Sequence, residues 1–183
     1  MRWWLRSVAI GAVVGFVVGL VVGGTLGRVF MRMLFLARKD TFGFETAMGA
    51  IIGDFTRGGT ATIYAFGAIA GVALGIAYAA GRTLLPSGLR LRTTLFTVGT
   101  TAFMVGQIVR GNREDFTLLP VTLSLLLIGG SVALTAALVP LLVERFAPDR
   151  ERRPGHLAQS VMLLGMAGFA AFGLTGIVMA YTS

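Results

Sequence analysis

Residues 7–27 read SVAIGAVVGFVVGLVVGGTLG and contain no Asp, Glu, Lys or Arg. A helix rises 1.5 Å per residue, so about 20 apolar residues are enough to cross a hydrocarbon core of roughly 30 Å. The run is longer than the apolar core of a secretory signal, about 7 to 15 residues, and the preceding Trp3 and Trp4 suit the membrane interface. We therefore expect a first membrane span that stays in the protein.

The same pattern occurs five times along the chain. Charge-free runs cover residues 7–27, 58–81, 93–109, 117–143 and 157–183. Only 13% of the residues are charged, against about a quarter in soluble proteins, and a charge at the bilayer centre costs about 2.5 to 3.5 kcal/mol. The sequence predicts an all-α integral membrane bundle of five transmembrane helices, a single transmembrane domain over residues 1–183.

One connection, between the first two runs, is long and has its own pattern. Its apolar residues recur at helical spacing: Phe44, Met48, Ile51 and Phe55. This spacing predicts a short amphipathic helix over residues 43–56, lying in the membrane interface. A re-entrant helix is the alternative, in which Glu45 and Asp54 would be expensive unless they lined a wet cavity.

Basic residues set the expected orientation. Five spans place nine Lys and Arg on the side of the N-terminus and seven on the other side. Because cytoplasmic loops are richer in Lys and Arg, we expect a bacterial cytoplasmic membrane protein with a cytoplasmic N-terminus and an extracytoplasmic C-terminus. The net charge of +8 is spread over loops beside the membrane, which predicts anionic lipid head groups as partners and not nucleic acid.

Glycine recurs at every fourth position in two of the runs. The first row is Gly11, Gly15, Gly19, Gly23 and Gly27, and the second is Gly67, Gly71 and Gly75. Helix faces without side chains let two backbones approach closely, which favours association in lipid. This glycine zipper predicts that the first two spans pack on each other, or that one row pairs within the chain and the other across an oligomer interface.

A polar face on the third run is one candidate site. Its residues lie on one side of a helical wheel: Thr93, Thr97, Thr100 and Gln107. They could line a hydrophilic path or hold a polar ligand. Alternatively, the threonine hydroxyls bond to backbone carbonyls and Gln107 bridges to a neighbouring helix.

Charged residues around the end of the first span form a second candidate site. They are Arg28, Arg32, Glu45, Asp54 and Arg57. A buried arginine paired with a carboxylate would make a gate or an anion site, and Asp54 is the preferred partner of Arg28 or Arg32. If the arginines only extend to the interface, the group is a solvated charge belt.

Catalytic chemistry has little support in the composition. The chain has no Cys and one His, which removes thiolate metal sites, Cys nucleophiles and the common His-based catalytic pairs. No predicted span contains an acid, as a membrane protease or metal-dependent transferase would need. We expect no catalytic residue, no metal and no cofactor.

The glycine row resembles the pore-lining helices of mechanosensitive channels and the first helices of the substrate-binding subunits of energy-coupling-factor transporters, over one span only. Arg28 and Arg32 after the first span, and Gly58-Gly59-Thr60 opening the second, make the whole chain similar to small uncharacterised multi-pass membrane proteins of GC-rich bacteria. This resemblance implies no activity.

The function expected from the sequence is a non-enzymatic packing or scaffold subunit of a membrane protein assembly, with a protein partner or a second copy in the membrane. The glycine faces and the absence of a buried charge suggest it. The alternative is a small homo-oligomeric channel or transporter, or a transporter's substrate-binding subunit, that uses the threonine-rich face.

Overall fold

The computed structural model describes residues 2–37, 43, 51, 56–112, 121–147 and 155–182. Over these residues the regular structure is helical and contains no strand, which confirms the all-α fold class. The helices in chain order are α1 (Arg2–Val18), a π-helical turn (Gly19–Gly23), α2 (Gly24–Ala37), α3 (Arg57–Gly81), a 3-10 turn (Arg82–Leu84), α4 (Leu89–Gly111), α5 (Val121–Phe146) and α6 (His156–Thr182).

Four of these helical stretches are long and apolar enough to cross a membrane. They are Trp3–Met33, Arg57–Leu84, Thr122–Phe146 and Gln159–Met179. Helix α4 is not among them, because its arginines, threonines and Gln107 lower its mean hydropathy. At 23 residues it is nevertheless about 34 Å long.

The first helix is continuous through its π-helical turn and extends past Gly27 to Ala37. The Gly24 N–H donates to Gly19 O, five residues back, which widens the turn. In an α-helix, positions four apart drift around the axis by about 40° per step, so a long glycine row would turn away from its partner helix. The wider turn offsets this drift and keeps Gly23 next to Gly67, with a Cβ built on Gly23 lying 3.6 Å from the Gly67 Cα.

Local sequence explains where α3 begins and ends. Thr56 has extended backbone angles, and its hydroxyl accepts from Gly59 N at 3.2 Å as a helix cap. At the other end, Leu85 is extended, as the residue before Pro86 tends to be, and stops the 3-10 turn. These two ends determine the positions of the arginines described below.

The apolar core joins four helices. Its main cluster contains Val14, Val18, Leu74, Tyr78, Ala79, Leu85, Phe96, Val139 and Val143. Helix α6 lies at the edge, since only 11% of its apolar window is buried against 33–39% for the other three spanning candidates. Nearly all of the predicted interfacial helix, residues 43–56, lies outside the described residues.

Candidate functional site

The two glycine rows pack directly against each other within the chain. A Cβ built on Gly15 would lie 2.7 Å from the carbonyl carbon of Gly71 and 3.2 Å from the Cα of Gly75. One built on Gly19 would lie 2.8 Å from the Gly71 Cα. Gly11 contacts Gly75 in the same way, so the two backbones touch over several turns. Neither of these stretches has room for a helix of a second chain.

A second close approach, between α4 and α6, was not foreseen from the sequence. A Cβ on Gly173 would lie 2.6 Å from both the Ala102 carbonyl carbon and the Phe103 Cα. Gly176 lies against Gly106, with its built Cβ 3.1 Å from the Gly106 oxygen. One available signal was a small-xxx-small pair, Ala102 and Gly106, which is too short to stand out as a row.

The polar face of α4 is bonded to protein over part of its length. Thr97 Oγ1 donates to the Ala136 carbonyl oxygen of α5 at 3.3 Å, and Thr100 Oγ1 donates to Phe96 O at 2.5 Å. By contrast, Thr93 Oγ1 and Gln107 Nε2 are buried with no hydrogen-bond partner among the described residues. On this face, some hydroxyls donate to backbone carbonyls, whereas other buried polar atoms have no hydrogen-bond partner among the described residues.

The predicted ionic site is only partly described. Arg28 is 7% exposed, donates to Thr56 O at 3.2 Å and also bonds to Thr60 Oγ1. Arg32 and Arg57 are exposed. Of the two alternatives, burial within the bundle describes Arg28, whereas the exposed Arg32 and Arg57 fit a solvated belt. Glu45 and Asp54 lie outside the described residues, so their pairing with Arg28 or Arg32 stays a prediction.

The clearest polar constellation is a cluster at the opposite end of the bundle, which we call the arginine cluster: Arg82, Arg92, Glu144 and Tyr78. Arg82 Nη1 and Arg92 Nη2 form ion pairs with the same oxygen, Glu144 Oε1, at 3.6 and 3.5 Å. The Tyr78 hydroxyl donates to that oxygen at 2.8 Å. Arg82 and Tyr78 are completely buried, with exposures of 0%. The expectation that no charge is buried is thus wrong.

Arg82 ties this cluster to the first helix and to the end of α5. Its guanidinium donates to Ser7 Oγ at 3.2 Å and to the Ala147 carbonyl oxygen, and it lies 5.6 Å from the centroid of a Trp3 ring. Such stacking of a guanidinium on indole is a favourable cation–π arrangement. One side chain thereby joins the start of α1, the end of α3 and the end of α5.

The chemistry of the arginine cluster suits a structural role, in which it holds the ends of the helices together. A carboxylate in a low-dielectric site holds two guanidiniums through Coulomb attraction, and losing it would leave two positive charges buried together. Sequence reasoning missed the cluster because Arg82, Arg92 and Glu144 each lie near a span end, where charges are assigned to solvated loops. A usable signal existed, since Glu144 follows the fourth run directly, and an antiparallel arrangement of the helices puts it at the same end as Arg82 and Arg92.

Within the described residues, no three His, Asp or Glu side chains come together as metal ligands would. No family model matches the chain, and comparison with curated proteins and with solved structures found no match.

Proposed function

We propose that the chain is a non-enzymatic multi-pass membrane protein that serves as a packing or scaffold subunit of a membrane assembly. The observation that carries this proposal is the bonding of the polar face of α4. A conduit needs water or substrate beside its polar side chains, whereas the Thr97 and Thr100 hydroxyls donate to carbonyl oxygens of the protein. In a scaffold, such hydroxyls hold helices together.

The proposal includes α4 as a fifth span, with the N-terminus in the cytoplasm and the C-terminus outside. Helix α4 packs on α6 through Gly106 and Gly173 and bonds to α5 through Thr97. The hydroxyls of Thr97 and Thr100 are bonded to protein, which lowers the cost of holding a threonine-rich helix among apolar spans. An odd number of spans puts the two termini on opposite sides of the membrane.

A partner helix fits best on α6. This helix leaves most of its surface uncovered, and exposed small residues follow one another at helical spacing: Gly168, Ala171 and Thr175. A Cβ built on Gly168 meets nothing within 4 Å. Small residues that are not covered within the chain allow another helix to approach closely, as Gly71 does for α1.

Labelling of a single cysteine tests the choice between scaffold and conduit. The chain has no Cys, so Thr97→Cys introduces the only thiol. We expect that a small aqueous thiol reagent leaves Cys at position 97 unmodified in membranes and modifies it after unfolding in detergent. Ser87→Cys, in the exposed turn before α4, is the positive control. Rapid modification of Thr97→Cys in the folded protein would overturn the scaffold proposal.

Assembly through α6 has its own test, with a matched control on α5. Gly168→Leu fills the open face of α6, and Gly130→Leu adds the same side chain at an equally open glycine of α5. We expect Gly168→Leu to reduce recovery of the assembly in native electrophoresis or native mass spectrometry, while Gly130→Leu does not. Thermal stability of the isolated chain should be similar in both variants. Equal recovery of the assembly would remove α6 as the contact.

The second candidate function is a channel or transporter, and the unpartnered atoms Thr93 Oγ1 and Gln107 Nε2 favour it. A transported polar ligand or water would supply the missing hydrogen bonds. Gln107→Leu separates the two candidates. In a scaffold, removal of an unsatisfied buried amide leaves stability equal or higher; in a conduit, it abolishes flux through reconstituted vesicles.

A further inference from the structure

Several arginines are gathered at one end of the bundle. Contacts of Arg82 with Ser7 and Ala147, and of Arg92 with Glu144, show that the start of α1, the end of α3, the start of α4 and the end of α5 meet at one end. We call it the arginine end. Among the described residues, its helix ends hold six Arg and one Glu: Arg2, Arg6, Arg82, Arg90, Arg92, Arg145 and Glu144.

Exposure divides the described arginines of this end into two groups. Arg82 and Arg92 are buried and share Glu144. Arg6, Arg90 and Arg145 are exposed. Glu144 is the only acid described at this end, and the buried pair and Tyr78 already occupy its Oε1. The buried ion pairs therefore leave the exposed arginines as an outward-facing surface of positive charge.

Apolar side chains stand beside these exposed arginines. Trp4 and Leu5, next to Arg6, are 49% and 54% exposed, and Leu89 and Leu91, on either side of Arg90, are 46% and 53% exposed. A surface that offers indole and leucine next to guanidinium fits the boundary between acyl chains and head groups. Guanidinium also binds phosphate oxygens in a planar, two-pronged geometry that lysine lacks.

We propose that the exposed arginines of the arginine end bind the phosphate groups of anionic phospholipids, and that the protein enriches these lipids around that end. The inference rests on the proposed membrane insertion and adds a lipid class and a location to it. The buried Arg82–Glu144 pair positions the helix ends, and the exposed arginines make the contact. Polybasic surfaces gain about 1 kcal/mol per Arg from an anionic membrane, which is about a fivefold enrichment for each residue.

The only two tryptophans of the chain, Trp3 and Trp4, lie at this end and serve as built-in probes. The full chain is reconstituted in vesicles of phosphatidylcholine with one fifth phosphatidylglycerol. Bromine is placed on the acyl chains of the minority lipid in one sample, and on an equal fraction of the phosphatidylcholine in the other. Brominated lipid quenches tryptophan fluorescence on contact. The quenching by brominated phosphatidylglycerol divided by the quenching by brominated phosphatidylcholine, the quenching ratio, therefore measures local enrichment of the anionic lipid.

We expect the quenching ratio to exceed two for the native chain, and to approach one in a triple variant, Arg6→Gln, Arg90→Gln and Arg145→Gln. The matched control removes the same charge from exposed arginines of the opposite end, Arg32→Gln, Arg57→Gln and Arg110→Gln, and should keep the native ratio. A ratio near one for the native chain, or equal loss in both triple variants, would overturn the proposal.

Two further observations separate the possible reasons for a loss of lipid enrichment. Inorganic phosphate, compared with chloride at equal ionic strength, should leave the ratio unchanged. Loss of enrichment in phosphate alone would assign the arginines to a soluble anion and overturn the lipid assignment. Absence of quenching by either brominated lipid would show that the chain is not inserted, which is the failure of the proposed function and not of the head-group site alone.

Discussion

Substitution of Gly71 by alanine tests the packing of the two glycine rows most sharply. Its Cβ would lie 2.7 Å from the Cα and 2.9 Å from the nitrogen of Gly19, and would also overlap the Gly15 carbonyl oxygen. Carbon atoms pack best at about 3.5 to 4.0 Å, so α1 and α3 would have to separate by about 1 Å. The obstructing atoms belong to backbone, which has no rotamer through which to move away.

The expected change in the free energy of unfolding combines two destabilising effects with one stabilising effect. Overpacking of a close interface costs about 1 to 3 kcal/mol, and each weakened Cα–H···O contact between the helices costs about 0.5 to 1 kcal/mol. Against this, alanine is about 1 kcal/mol better than glycine inside a helix. We expect the free energy of unfolding of Gly71→Ala to fall by about 2 kcal/mol.

A matched control gives the opposite sign. Gly130→Ala makes the same change in α5 at a position where the new Cβ meets nothing within 4 Å, so it should leave stability unchanged or raise it by up to about 1 kcal/mol. The assay is reversible unfolding in mixed detergent micelles, followed by circular dichroism. Equal stability of Gly71→Ala and Gly130→Ala would refute the argument that the glycines are needed for close approach.

Two further substitutions, each with a matched control, are tested by the same unfolding assay. Glu144→Gln leaves Arg82 buried without its carboxylate and should lower the free energy of unfolding by about 3 kcal/mol. Arg145→Gln, at the exposed neighbouring position, should change it by less than about 0.5 kcal/mol. Equal effects would mean that the arginine cluster does not hold the helix ends together. Thr60→Val removes an acceptor of the buried Arg28 and should lower the free energy of unfolding by about 1 to 3 kcal/mol. Thr62→Val, at an exposed threonine that bonds to Gly58 of its own helix, should leave it unchanged. An unchanged stability of Thr60→Val would show that Arg28 does not depend on this contact.

The helices could be predicted from the sequence because membrane insertion excludes charge from long apolar runs. Helix α3 begins at Arg57 and ends at Gly81, beside the predicted limits of 58 and 81. The first helix exceeds its predicted end at Gly27 because hydropathy locates the apolar part of a helix and not its caps. Spacing of four also indicated which residues of the first two spans are small enough for close approach.

The π-helical turn and the arginine cluster could not be derived from these patterns. Whether a glycine row drifts away from its partner or is kept straight by a π-helical turn depends on the three-dimensional packing of both helices. From the sequence alone, Glu144 is assigned to a loop, since it follows the fourth apolar run. Its burial depends on which helix ends meet, and that is a property of the assembled bundle.

Membrane topology around α4 tests the central claim, that five helices cross the membrane. The chain lacks Cys, so Ser87→Cys and Gly111→Cys each carry one thiol, at exposed positions before and at the end of α4. A membrane-impermeant maleimide is added to intact cells and to permeabilised cells. We predict that Cys at position 111 reacts in intact cells and Cys at position 87 only after permeabilisation. Reaction of both from the same side of the membrane would contradict it.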